Sequence, residues 1–128
     1  MDEKRLMRGL TDQDEYVRAW AIQLLAEDQK PSKEALERFV EMAKGDASAV
    51  VRLYLASAMQ RTPVAQRMAV LDGLLRHEED AADQNLPLMY WYALEPVVGA
   101  DKATAARVLG TVKIAKVREL VARRLAVK

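Results

Sequence analysis

Val17-Arg18-Ala19-Trp20-Ala21 and Val51-Arg52-Leu53-Tyr54-Leu55 decide the fold. Their arginines lie 34 residues apart, and Val117-Arg118-Glu119-Leu120-Val121 follows a further 66 residues on, two periods of 33. Self-similarity at this period marks a stack of helical units. A fourth copy belongs between them, and Leu88-Met89-Tyr90-Trp91-Tyr92 fills the place, with Met89 in the arginine slot. Each copy has the spacing of an amphipathic helix. Val17, Trp20, Ala21, Leu24 and Leu25 fall on one helical face, and Val51, Leu55, Ala58 and Met59 repeat the pattern, as do Ile114, Val117, Val121 and Leu125.

Gly9, Lys30-Pro31-Ser32, Gly45-Asp46, Thr62-Pro63, Asn85-Leu86-Pro87, Gly99-Ala100-Asp101 and Gly110-Thr111 supply stops, N-caps and first-turn prolines. The punctuation predicts eight helices, at 2–9, 13–28, 32–44, 47–61, 64–78, 86–98, 101–110 and 114–127. Six residues before the arginine slot stand Asp12, Asp46 and Asp83, while the last copy has Val112. This Asp-x5-Arg pattern across a helix corner resembles the HEAT repeat, over the whole chain. The predicted fold is all-α: an α-α superhelix of four antiparallel helix pairs, one domain over residues 1–128 with a continuous core. An Asp at the corner can accept from the free N–H groups opening the next helix, and an Arg one turn in can bridge to the Asp of its own or a neighbouring repeat. The expected ladder is strong at Asp12, Arg18, Asp46 and Arg52, and weaker at Asp83 and Arg118, each of which has lost a partner. The alternative is a set of ordinary N-caps and solvated arginines.

Composition narrows function mainly by exclusion. The 128 residues are 51% hydrophobic and 30% charged, enough for one folded domain. Lys and Arg number 20 against 19 Asp and Glu, so the net charge of +1 points to no nucleic-acid or membrane surface. Without Cys there is no disulfide, thiolate metal site, Cys nucleophile or CxxCH haem attachment, and His77 alone cannot make a two-imidazole site. The opening Met1-Asp2-Glu3-Lys4-Arg5 does not read as a secretory signal. The longest apolar stretch, Leu86 to Leu94, is far short of a membrane span.

Three segments carry a closer resemblance: Glu15 to Leu25, Val50 to Arg61, and Asn85-Leu-Pro-Leu-Met-Tyr-Trp-Tyr-Ala-Leu-Glu-Pro96. They resemble the helical middle region of the large haem-binding CxxCH proteins of planctomycetes and verrucomicrobia, described as membrane-bound dehydrogenases. In that family the region lies between a sugar-dehydrogenase-like β-propeller and a cytochrome c-like domain. The resemblance implies that this chain is a piece of a larger exported, periplasmic or membrane-associated redox protein whose haem c and catalytic residues lie in other parts. No catalytic, cofactor-binding or metal-binding residue carries over onto this chain.

The remaining constellations have plain alternatives. Glu78, Glu79, Asp80 and Asp83 could supply oxygen ligands to a cation, but they lack EF-hand spacing, and a solvated acidic loop is the favoured reading. His77 has no partner nucleophile and reads as a helix-end residue favouring the C-terminal dipole. Tyr90, Trp91 and Tyr92 are the densest aromatic group. Consecutive helical residues point three ways, so at least one faces the core and at least one faces out as a candidate binding anchor. Glu95 reads as buried beside Pro96, which should end or kink its helix. Residues 102–128 hold eight basic groups, among them Arg123 and Arg124, against Glu119, a local +7. Residues 72–95 hold six acids against Arg76, a local −5. The expected function is a non-catalytic scaffold or spacer with no cofactor of its own, contacting a protein or neighbouring domains of the same polypeptide. The second reading is a HEAT-like nucleic-acid-binding module using the basic last helix, and it ranks below the first.

Overall fold

The computed structural model describes residues 2–27 and 30–127. The far end of the helix expected at 13–28, and Lys128 of the basic stretch, lie outside them. Among the described residues the chain forms eight α-helices and no strand: α1 (Glu3–Gly9), α2 (Glu15–Leu25), α3 (Lys33–Gly45), α4 (Ala49–Gln60), α5 (Met68–Leu74), α6 (Leu86–Ala100), α7 (Lys102–Thr111) and α8 (Ala115–Ala126). Short polar residues start most of them. Asp2 accepts from the Arg5 N–H, Asp14 from Tyr16, Ser32 from Ala35, Ser48 from Val51 and Asp101 from Ala103, each satisfying an N–H that has no partner inside its helix.

Consecutive helices pair as α1–α2, α3–α4, α5–α6 and α7–α8, and the pairs stack into two layers. The second helices form a continuous layer, α2 on α4, α4 on α6 and α6 on α8, while in the other layer α3 packs on α5. One core runs between the layers. Ile22, Phe39, Leu55, Leu71, Leu94 and Ile114 are all fully buried in it, from the second helix of the first pair to the corner of the last. Each such side chain contributes roughly 1.5–3 kcal/mol of transfer free energy. Helix α1 buries no residue fully, so it has least to hold it. Where α5 meets α3 the fit is tight: a Cβ on Gly73 would lie 3.0 Å from the Ala43 backbone.

Two expected helices differ. The single helix expected at 64–78 is a 3₁₀ turn at Val64–Gln66 followed by α5, which stops at Leu74. Beyond it Arg76 and His77 close turns onto the Gly73 and Leu74 carbonyls, and Glu78–Ala82 winds into a second 3₁₀ segment. Pro96 does not end α6, which continues to Ala100. Proline removes the N–H that would bond the Tyr92 carbonyl, and the helix carries that loss in a segment whose opposite face, at Ala93, Leu94, Val97 and Val98, is buried in the core.

Candidate functional site

The corners are fastened by arginines that reach in two directions. Arg18 sends Nε and Nη2 to the two carboxylate oxygens of Asp46, at 2.9 and 3.1 Å, and Nη1 back to the Asp12 and Gln13 carbonyls. Arg52 repeats this one pair further on. Its Nε and Nη2 meet Asp80 at 2.8 and 2.7 Å, and Nη1 donates to the Asp46 carbonyl at 2.9 Å. Planar two-point contacts of this kind are the strong form of the guanidinium–carboxylate bond. Each arginine thus binds the corner of its own hairpin through a backbone oxygen and the next corner through a carboxylate.

The acidic partner of Arg52 is Asp80, not Asp83. Asp83 Oδ1 instead accepts from the Asn85 and Leu86 N–H groups at the start of α6, and this holds its carboxyl below the usual carboxylate range. Asp12 and Asp46 also accept, from the N–H groups of Asp14 and Ser48, but the Asp12 side chain makes no rung. Nor is Met89 in the arginine slot. The buried residues Leu86, Tyr90 and Leu94 of α6 occupy the phase of Val51, Leu55 and Met59 in α4, an offset of 35, which puts Pro87 where Arg52 stands. With no cation in that slot, the ladder stops at Asp80. Among the described residues Arg118 meets no carboxylate and donates only to the Val112 carbonyl of its own corner, at 2.5 Å.

Tyr90 closes the ladder's end. It is fully buried, and its hydroxyl donates to Asp80 Oδ2 at 2.6 Å, which removes it from the expected interaction surface. Burial, with the Asp80 charge beside it, pushes the phenol well above its usual value, and Arg52 is raised by its bond to Asp80. Below about pH 10 both the folded and unfolded chains keep the Tyr90 proton. Above it the unfolded chain ionises first, so stability should fall by about 1.4 kcal/mol per pH unit from this group until the folded pKa is reached. Tyr90→Phe should remove that component. In an ultraviolet titration of the four tyrosines, Tyr90 should ionise only with unfolding. A wild type and Tyr90→Phe with parallel alkaline stability curves would contradict the buried Tyr90–Asp80 bond.

Other expected residues also find structural partners. His77 is not an exposed helix end: Nε2 lies 2.7 Å from the Ala43 carbonyl near the end of α3, and Nδ1 lies 3.0 Å from Glu79, whose carboxyl it lowers. Asp80, Glu79 and Asp83 therefore serve Arg52, His77 and the start of α6 in turn, and among the described residues no three ligating side chains converge on a cation position. Glu95 is not buried against Pro96. Its side chain is 43% exposed and meets Arg124 Nε at 3.4 Å. Arg123 is exposed and paired with Glu119 at 2.6 Å. A further buried arginine escaped the sequence reading. Arg67, 8% exposed, donates to the Thr62, Gln60 and Ala93 carbonyls, and burial lowers its pKa.

Several large apolar side chains also face out. On the outer side of the second-helix layer Tyr16 and Trp20 are each 61% exposed, Tyr92 is 55% and Leu88 is 40%, while Trp91 packs against the core. Between α2, α4 and α6 runs an open groove of about 600 Å³, walled by Tyr54, Leu88, Met89 and Tyr92, with Arg61 and Gln23 at its margins. A model of HEAT repeats matches residues 3–85, more than half the chain. The chain belongs to the HEAT-repeat family. No curated protein and no solved structure matches it. HEAT repeats generally serve as protein-interaction scaffolds, and the HEAT family is typically non-catalytic. Among the described residues of this HEAT chain no helix is long and apolar enough to cross a membrane.

Proposed function

We propose that this HEAT-repeat domain is a non-catalytic scaffold that docks a protein, or a neighbouring domain of its own polypeptide, on the outer face of the α2–α4–α6 layer. The observation that carries the reading is the exposed pair Leu88 and Tyr92 lining one groove, with exposed Tyr16 and Trp20 on α2, the helix that gives the groove Gln23, on a molecule whose buried Arg52, Arg67, Asp80 and Tyr90 are spent on internal bonds. Large apolar groups gathered on one face mark interaction sites. A photo-crosslinking residue placed at Trp20 should form protein adducts in the source cells. The same residue at Glu37, exposed on α3 of the opposite layer, should form few. Equal yields at both positions, or none at either, would overturn the reading.

The finer context rests on the resemblance of Glu15–Leu25, Val50–Arg61 and Asn85–Pro96 to the CxxCH proteins. On that basis the domain is a spacer within a larger exported dehydrogenase-like protein, with haem c carried elsewhere and no cofactor on these residues. The reading frame around this segment tests it: a downstream CxxCH and an upstream signal peptide are expected.

Nucleic-acid binding remains the lesser reading because the four arginines of the basic stretch are already engaged. Arg107 pairs with Asp72, Arg123 with Glu119 and Arg124 with Glu95, and Arg118 is turned to its own corner. Duplex or single-strand binding should therefore be feeble and vanish by about 150 mM salt, where charges beyond roughly 8 Å are screened. Micromolar binding that persists there and falls when Arg123 and Arg124 become Glu would reverse the ranking.

A further inference from the structure

We propose that the groove across α2, α4 and α6 takes a peptide segment that joins a bulky apolar side chain to a carboxylate, with the carboxylate seated on Arg61. This rests on the protein-docking reading above and adds the chemistry of the partner. Six arginines are buried or half-buried among the described residues. Arg18, Arg38, Arg52 and Arg124 pair with carboxylates, and Arg67 with three carbonyls. The Arg61 side chain makes no hydrogen bond or ion pair among the described residues. Its Nε is fully enclosed and without an acceptor. A guanidinium nitrogen withdrawn from water and left unbonded carries an uncompensated desolvation cost. That Nε is sealed from the groove, but the guanidinium to which it belongs lines the groove, and a carboxylate arriving at its outer amino groups makes a charge-assisted bond with a cation that no carboxylate of the described residues neutralises.

The walls select the rest of the ligand. Leu53 and Tyr54 of α4 face Leu88, Met89 and Tyr92 of α6. Methionine adapts to varied shapes, and the two tyrosines present rigid contact area with a polar tip, a combination suited to holding an aliphatic or aromatic side chain. About 600 Å³ has room for one or two such groups. Arg61 is the one charged residue among the described lining. A polyanion gains little from a single cation, whereas one carboxylate beside an apolar anchor matches both features.

A randomised peptide library selected against the intact chain tests the assignment. Selected sequences are expected to carry Asp or Glu within a few residues of Leu, Met, Phe or Trp. Measured by fluorescence anisotropy, changing that acid to its amide should weaken binding about tenfold or more, as should Arg61→Gln, and the two losses should not add. Arg61→Gln should melt no lower than wild type, since it breaks no bond, and Tyr92→Ser should also weaken binding. Should Arg61→Gln fail to fold, the acid-to-amide comparison on the wild-type chain decides alone. Selected peptides without an acid, or with affinity indifferent to its removal, would overturn the assignment and leave the docking reading standing. No selected peptide at all, or peptides indifferent to Tyr92→Ser, would overturn both.

Discussion

Arg52→Ala is expected to lower stability by about 3–5 kcal/mol, the usual result of removing one partner from a buried ion pair. That is a large share of the roughly 5–15 kcal/mol by which domains are stable. Both Arg52 and Asp80 are 3% exposed at the side chain, so the substitution leaves a carboxylate inside the protein with only the Tyr90 hydroxyl to face it. Arg18→Ala breaks an equivalent fork, but Arg18 is 18% and Asp46 10% exposed, and Asp46 keeps the Ser48 N–H. Its cost should be about 1–3 kcal/mol. Urea midpoints for the two variants measure the difference. Arg52→Met combined with Asp80→Leu should recover much of the loss, because removing both charges removes the uncompensated one. Equal midpoints for the two single variants would mean that burial does not set the strength of the rungs.

Arg67→Met should cost roughly 3 kcal/mol, since bonds from a charged donor contribute about 1.5–3 kcal/mol each and are not additive. Arg67 joins the end of α4, through the Gln60 and Thr62 carbonyls, to the middle of α6 at Ala93. Arg67→Lys should rescue little of this. A single ammonium cannot present three donors in the directions that the planar guanidinium spans. Denaturant unfolding of both variants is the measurement. A Lys variant as stable as wild type would show that charge, and not the fork, holds the junction.

The all-helical hairpin stack is readable from periodicity, because one face of each second helix must be apolar to reach the core and Val51, Leu55 and Met59 recur at that spacing. The rung Arg18–Asp46 joins residues 28 apart, and so does Arg52–Asp80. That interval distinguishes Asp80 from Asp83 in the bare sequence. The corner column Asp12, Asp46 and Asp83 misleads because the chain between α5 and α6 winds through a 3₁₀ segment, which places Asp83 at the helix start and leaves Asp80 at the rung. The same segment shifts α6 so that Tyr90, read as one of three candidate outward aromatics, points into the core. Arg67 left no trace to find, since backbone carbonyls belong to every residue. Arg61 could not be singled out either: an arginine whose side chain has no partner among the described residues looks, in sequence, like any other.

Pro87 in the place of an arginine gives the solenoid uneven mechanics. The junctions α2–α4 and α4–α6 are riveted at their corners by bidentate bonds, whereas among the described residues the last hairpin is tied to the third by one backbone bond at the corner, from the Lys113 N–H to the Leu75 carbonyl, and by the more exposed Arg107–Asp72 and Arg124–Glu95 pairs. Bending should concentrate at that third junction. The groove lies wholly on the riveted side, so its walls hold their spacing while the α7–α8 hairpin flexes, as a handle moves on a fixed jaw.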